Sequence, residues 1–201
     1  MKYKNESGRS MVEMLGVLAI VGVLSAGALK GYSAAMFKYK MNQTIDIFQG
    51  VLQRFSELED KINAPIDQSD YVKYGFLEEC QMDAIGSCRL PIGVIRGDLA
   101  NSGDFTFGSF GVDFTDSKSC IAFASVDWGR SSPIEWFTKP EDYSGGHIYI
   151  VSDGKSIVIY DPFGNKGDPI TESTMSLVTQ ACKGCDKAYG CTYWFNIRNE
   201  I

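Results

Sequence analysis

The sequence contains one histidine, His147, among its 201 residues. This scarcity argues against a catalytic triad that needs histidine and against a metal site built from several histidines. Basic residues are also few, because 19 Lys and Arg stand against 25 Asp and Glu and the net charge is −6. Phosphate binding needs clustered Lys and Arg, so we predict no nucleic-acid partner.

Cysteine and proline are both missing from the amino-terminal part of the chain. All six cysteines stand at or after Cys80, and the first proline is Pro65. An even number of cysteines confined to one part of the chain is typical of disulfides in an oxidising compartment. Without a strong helix breaker, residues 9–63 are predicted to form one helix roughly 80 Å long.

The start of this helix is an apolar segment with the composition of a transmembrane helix. Sixteen uncharged residues separate Glu13 from Lys30, and as a helix they span roughly 24 Å, less than the ~30 Å hydrocarbon core of a bilayer. A spanning helix must therefore begin near Arg9 and take Glu13 into the membrane, where a carboxylate is costly and marks a functional position. The alternatives are a buried core helix and a secretory signal peptide. A signal peptide is disfavoured because the helical pattern continues past the small residues 25–27.

Gly8, Glu13 and the apolar helix together resemble the class III signal of type IV pilins and type II secretion pseudopilins. The resemblance covers about the first 60 residues. It implies a leader over 1–8, cleavage after Gly8 by a prepilin peptidase, and N-methylation of the new amino terminus at Arg9. The family normally has Phe, Met or Leu at this first mature position, so Arg9 is a departure. Glu13 falls on the fifth mature position, the most characteristic one of the family.

Glu13 has a physical role in this interpretation. Cleavage creates a cationic α-amine on Arg9, and a buried carboxylate needs such a partner or it becomes protonated. The amine of a neighbouring subunit would enter the same apolar zone, and the pair would then set the register of adjacent helices. The alternative is a Glu13 side chain that reaches out of the membrane at the headgroup boundary.

The resemblance implies an α+β, pilin-like fold, with a long helical spine packed on an antiparallel β-sheet head that carries disulfides. Residues 9–31 are the transmembrane and assembly half of the spine, 32–63 its amphipathic half, and 67–201 the head. An apolar stripe predicts how the second half packs on the head. Its members are Met41, Ile45, Phe48, Leu52, Phe55 and Ile62.

Patterning within the head predicts an antiparallel sheet of about four strands. A hairpin is indicated by residues 148–152 and 155–160, because Asp153-Gly154 between them forms a tight turn. Further strands are predicted over 105–114, 120–128 and 191–197. A short helix is predicted within 171–183 and ends before Gly184.

Six cysteines allow 15 pairings. We take the pairs to be Cys80–Cys88, Cys120–Cys182 and Cys185–Cys191, the second of which would resemble the disulfide that ties the carboxy-terminal part of many pilins to the sheet. Cys182 and Cys185 also form a CxxC motif, for which redox and zinc roles are alternatives. The motif lacks the strand and helix start of a redox site and the second cysteine pair of a zinc site.

A loop rich in Asp, Gly and Asn follows the hairpin. Asp161, Asn165 and Asp168 could offer oxygens to calcium, as in some pseudopilin loops, although the spacing is not that of an EF-hand. An ordinary turn containing glycine and proline explains the same residues. Calcium is the one cofactor that the sequence suggests.

These features predict a structural subunit of a type IV pilus-like filament and not an enzyme. A minor pilin or pseudopilin that primes a secretion or DNA-uptake filament is one alternative. A membrane-anchored binding or enzymatic domain is another, but a lone anchor gains nothing from a buried acid. The expected partners are copies of itself, other pilins, the prepilin peptidase, the inner-membrane assembly machinery and membrane lipid.

The cysteines decide the orientation, because lysines flank the apolar segment on both sides. We expect a single-pass protein of a bacterial inner membrane with its head outside the cytoplasm. After assembly it would lie in an extracellular or periplasmic filament.

The predicted scissile bond can be tested by replacing Gly8. Gly8→Val should block processing and leave the full-length precursor, because the peptidase of this family cuts after a glycine. Intact-mass spectrometry of the membrane fraction measures the outcome. Gly16→Val, a matched change beyond the predicted bond, should be processed normally. Unchanged processing of Gly8→Val would contradict cleavage between Gly8 and Arg9.

Overall fold

The computed structural model describes residues 11–58, 75, 88–102, 105–126, 128, 147–161, 174–187 and 190–200. The helices in these ranges are α1 (Met11–Leu58), α2 (Ser117–Ala124) and α3 (Met175–Cys182). The strands are β1 (Cys88–Arg89), β2 (Val94–Ser102), β3 (Phe105–Phe114), β4 (His147–Ser152), β5 (Lys155–Tyr160) and β6 (Cys191–Glu200). The chain is therefore α+β, with a long amino-terminal helix and a sheet, as predicted.

All six strands belong to one antiparallel sheet in the order β1-β2-β3-β6-β4-β5. Strand β6 comes last along the described chain but lies inside the sheet, where it pairs with β3 on one side and β4 on the other. β6 therefore joins the β1–β3 part of the sheet to the β4–β5 hairpin.

The chain divides into two compact units between Tyr39 and Lys40. In the second unit, α1 buries the residues of one face. Their spacing of three or four residues is that of a helix packed on a core. They are Met41, Thr44, Phe48, Val51 and Leu52.

The predicted stripe is confirmed at Met41, Phe48 and Leu52, which are buried. Ile45 is only half-buried. The side chains of Phe55 and Ile62 lie outside the described residues.

An aromatic cluster forms the centre of this core. It consists of Phe48, Phe114, Phe123, Trp128, Tyr193 and Phe195. The ring centroid of Phe48 lies 5.0 Å from that of Phe195 in β6 and 5.5 Å from that of Phe123 in α2. The Trp128 indole donates a hydrogen bond of 3.0 Å to the backbone oxygen of Phe123, which satisfies its one polar group. Burial raises the pKa of the Tyr193 hydroxyl well above its usual value.

The buried hydroxyl of Thr44 on α1 forms hydrogen bonds to the backbone of another part of the chain. Thr44 Oγ1 accepts a hydrogen bond of 3.0 Å from the backbone N–H of Ile92 and donates one of 3.3 Å to its backbone oxygen. Buried backbone groups need such partners. Thr44 therefore fixes the segment that leads into β2 against α1.

The strand predicted over residues 120–128 is wrong, because residues 117–124 form α2. The Asp116 carboxylate caps this helix by accepting from the Ser119 N–H at 2.8 Å and from the Ser119 hydroxyl at 2.7 Å. Cys120, Phe123 and Ala124 are buried at helical spacing. The capping pair Asp116 and Ser119 thus outweighs the β-like sequence that follows.

The other predicted elements are confirmed, with two additions. The structure has the hairpin of β4 and β5, the strands β3 and β6, and a helix, α3, inside the predicted range. Strands β1 and β2 were not predicted, so the sheet has six strands instead of about four.

Two glycines give opposite expectations for an added methyl group. At Gly50, on the exposed side of α1, a Cβ would meet nothing within 4 Å. Gly50→Ala should stabilise the protein by about 0.5–1 kcal/mol, because glycine weakens a helix interior by this amount. Thermal unfolding of the full chain in detergent measures the change.

Gly111→Ala serves as the contrast. There a Cβ would lie 2.9 Å from two ring atoms of Trp194, so we expect destabilisation of about 1–3 kcal/mol, as for other overpacked sites. A Gly50→Ala variant that unfolds at a lower temperature than the wild type would contradict the assignment of that helix face as open.

Candidate functional site

The first half of α1 exposes apolar side chains on every side. All residues from Met11 to Ala35 are exposed, and the most apolar stretch of 18 residues has a mean hydropathy of 2.1 with 0% of it buried. By length and composition, α1 could therefore cross a membrane. The lack of burial argues against a core helix, which would hide such a surface inside the protein.

Glu13 lies in the first turn of the described helix and is exposed. It is the only acidic residue between Met11 and Tyr39. Gly16, Gly22, Gly27 and Gly31 follow along the same helix, and a Cβ on any of them would meet nothing within 4 Å. These positions leave room for another helix to approach the α1 backbone closely.

The predicted cleavage and methylation residues, Gly8 and Arg9, lie outside the described residues. Their roles, and the pairing of Glu13 with the amine of Arg9, stay predictions. The same holds for the leader over 1–8.

Two disulfides join the turn after α3 to the rest of the second unit. Cys120 of α2 is bonded to Cys182, the last residue of α3, and Cys185 is bonded to Cys191, the first residue of β6. These are the predicted pairs. Cys88 is also disulfide-bonded, and its predicted partner Cys80 lies outside the described residues.

The two cysteines of the CxxC motif are not bonded to each other, and neither is a free thiolate that could bind a metal. Cys182 and Cys185 belong to different disulfides, although the sulfurs of Cys120, Cys182 and Cys185 all lie within 4.8 Å of one another. A sulfur bonded to sulfur offers no thiolate to zinc. The motif follows α3 instead of starting a helix, so it also lacks the setting of a thioredoxin-like site.

Polar contacts hold the same turn at two further points. The Asp186 carboxylate accepts hydrogen bonds from the Ser117 N–H, at 2.9 Å, and from the Ser117 hydroxyl at the start of α2. Lys187 forms an ion pair with Asp153 in the turn of the β4–β5 hairpin. Gly184 fits so closely to this hairpin that a Cβ there would collide with Ser152. We call residues 182–187, which these contacts and the two disulfides hold, the pinned loop.

Both aspartates of these contacts have lowered pKa values. The hydrogen bond and the charge of Lys187 lower the pKa of Asp153, with a smaller contribution from Lys155. Hydrogen bonds from the hydroxyl and then the backbone N–H of Ser117 lower the pKa of Asp186. Each contact is thus stronger when the carboxylate is ionised.

The hairpin turn that receives Lys187 has the predicted form. Asp153 and Gly154 have φ angles of 51° and 70°, as a two-residue type I′ turn requires. Glycine adopts this conformation freely and aspartate tolerates it, which explains why this dipeptide marked the hairpin in the sequence.

Of the three predicted calcium ligands, the structure describes one. Asp161 directly follows β5 and is 1% exposed, while Asn165 and Asp168 lie outside the described residues. The calcium site therefore stays a prediction.

Sequence reasoning did not identify Ser117, Asp153, Asp186 or Lys187 as contact residues. Ser117 and Asp186 are 69 residues apart and Asp153 and Lys187 are 34 apart, so no local pattern links them. A local pattern that could have predicted α2 is the helix cap formed by Asp116 and Ser119. No family model, curated protein or solved structure matches this chain.

The contact between Asp186 and Ser117 predicts a pH-dependent stability. A lowered carboxylate pKa contributes stability that is present above the ordinary value of 3.8 and lost as the pH falls through the folded-state pKa. Asp186→Asn should therefore lower the melting temperature at neutral pH, and this difference from the wild type should shrink below pH 3.8. Calorimetry of the full chain in detergent, over a pH series, measures both.

Ser117→Ala is the companion variant, because it removes the hydroxyl donor and keeps the N–H. It should show a smaller decrease in the same direction. A difference between Asp186→Asn and the wild type that grows on acidification would show that the contact does not favour the ionised carboxylate.

Proposed function

We propose that this chain is a structural subunit of a type IV pilus-like filament. The observation that carries the proposal is an acidic side chain, Glu13, on a helix whose apolar surface is exposed from Met11 to Ala35. The α+β architecture, with part of α1 packed in the core of a disulfide-bonded sheet unit, is consistent with a pilin-like head and spine.

The exposed apolar side chains of α1 are covered in two different environments, one before assembly and one after it. Before assembly, residues 9–31 span the inner membrane, where lipid covers the side chains. After a prepilin peptidase cuts behind Gly8, the inner-membrane assembly machinery passes the subunit into the filament, where helices of other copies or other pilins cover the same side chains. Gly16, Gly22 and Gly27 support close helix contacts, because nothing occupies the space beside them.

Glu13 supplies the specificity of assembly. An ionised carboxylate inside an apolar helix bundle is stable only with a partner. The α-amine that cleavage creates on Arg9 of a neighbouring subunit is a cation at the same end of the helix. Pairing of the two selects one register between neighbouring helices, and Arg9 adds a guanidinium to this pair.

The proposal places the Lys40–Ile201 unit outside the cytoplasm. Two disulfides in the described part of this unit support an oxidising compartment. The protein would be a single-pass protein of the inner membrane first and part of an extracellular or periplasmic filament afterwards.

Replacing Glu13 tests the proposal. Glu13→Ala should be cleaved after Gly8 like the wild type, because the scissile bond is unchanged, but it should enter filaments poorly. Leaving a buried charge without its partner costs about 3–5 kcal/mol, so we expect at least a roughly tenfold decrease in sheared filament material. Immunoblots of sheared and cell-bound fractions measure assembly, and intact mass measures cleavage.

Glu6→Gln is the matched control, because it removes an acid from the leader that cleavage discards. It should assemble like the wild type. Normal assembly of Glu13→Ala would refute the pairing. If no filament forms even from the wild type and the amino terminus stays at Met1, the chain is a membrane-anchored protein of another class.

A further inference from the structure

Three buried sulfurs meet where α2, α3 and the pinned loop come together. Cys120, Cys182 and Cys185 are each 0% exposed, and their Sγ atoms lie within 4.8 Å of one another. Cys120 and Cys182 are bonded to each other, so Cys185 lies beside an intact disulfide to which it does not belong.

Cys182 and Cys185 lie close together, both along the chain and in the folded structure. The Cys185 N–H donates a hydrogen bond of 3.1 Å to the Cys182 backbone oxygen, which closes the turn between them. Cys120 and Cys182 are 62 residues apart along the chain, whereas Cys182 and Cys185 are three apart. The entropic cost of closing a loop rises with its length, so the CxxC loop is expected to close before the loop between Cys120 and Cys182.

We propose that Cys182 and Cys185 form a transient disulfide through which the long-range disulfide is made. In the first step an oxidised small-molecule disulfide, such as oxidised glutathione, takes two electrons and two protons from the two thiols and leaves the Cys182–Cys185 bond. In the second step the Cys120 thiolate attacks Cys182 Sγ, the Cys120–Cys182 bond forms, and Cys185 leaves as a thiolate. A second disulfide oxidant then joins Cys185 to Cys191.

The surroundings of the sulfurs keep this exchange intramolecular. The three side chains are buried in the folded protein, so the external disulfides react with them before folding is complete, and afterwards the neighbouring sulfur is the available partner. The contacts of Asp186 with Ser117 and of Lys187 with Asp153 hold the pinned loop over α2 and the hairpin. They thereby keep Cys185 next to the Cys120–Cys182 bond.

The reverse step provides the test in the full chain, purified in detergent. Cys191→Ser leaves Cys185 as a free thiol beside the Cys120–Cys182 bond. In mildly alkaline buffer, which favours the attacking thiolate form, Cys185 should attack Cys182 Sγ and release Cys120. Acid quenching, unfolding, labelling with N-ethylmaleimide and peptide mapping then locate the free thiol.

We expect the label on Cys120 in at least about a tenth of the molecules, since exchange between neighbouring sulfurs conserves the number of disulfides. Cys185→Ser is the matched control: it frees Cys191, which is not among the three clustered sulfurs, so the label should stay on Cys191. Label that remains on Cys185 alone in Cys191→Ser would overturn the proposal. Label on Cys182 would overturn it as well, because the attack would then fall on Cys120.

Reoxidation of the wild type covers the case in which Cys191→Ser does not fold. The reduced, unfolded chain is returned to native conditions with oxidised glutathione, and samples are acid-quenched and mapped over time. A Cys182–Cys185 peptide should rise before the Cys120–Cys182 peptide and then decay. A Cys120–Cys182 peptide that accumulates with no earlier Cys182–Cys185 species would refute the route. The result does not depend on filament assembly.

Discussion

Phe123 of α2 contacts both the second half of α1 and the sheet, and the core depends on these contacts. Its ring lies 5.5 Å from Phe48 on α1 and 5.2 Å from Tyr193 on β6, between ring centroids. Truncating a buried phenylalanine costs about 3–5 kcal/mol. Closing a loop of the length between Cys120 and Cys182 contributes about 4 kcal/mol. The Phe123 side chain therefore contributes about as much to the stability of the fold as the long-range disulfide does. Both Phe123 and Cys120 belong to α2.

The sequence allowed prediction of those elements whose cause is local. The Asp153-Gly154 turn needs only two residues, and the apolar runs on both sides of it form strands as expected. Local evidence also conflicted in one place, at α2, where Cys120 to Val126 has the composition of a strand but Asp116 caps a helix. β2 went unpredicted because Gly97, Asp98 and Asn101 have low β-propensity. Its pairing with β3 over its full length supplies the stability that its composition lacks.

In the candidate site, too, features with a local cause could be predicted and features that depend on long-range contacts could not. Glu13 could be identified from sequence because charge and hydropathy are properties of neighbouring residues. The pinned loop could not, since its partners Ser117 and Asp153 lie 69 and 34 residues away along the chain and no local pattern links them to it. Disulfide pairing is intermediate: the six cysteines allow 15 pairings, and the fold decides which cysteines meet.

The position of β6 in the sheet affects the order in which the sheet can be completed during synthesis. A chain is synthesised from its amino terminus, so β1 to β5 are available before β6 is. Until then the β1–β3 strands and the β4–β5 hairpin are separate pieces, and the facing edges of β3 and β4 lack the strand that lies between them in the finished sheet. Unpaired edges invite association with other chains. A newly made chain is therefore most exposed to aggregation just before β6 inserts between β3 and β4.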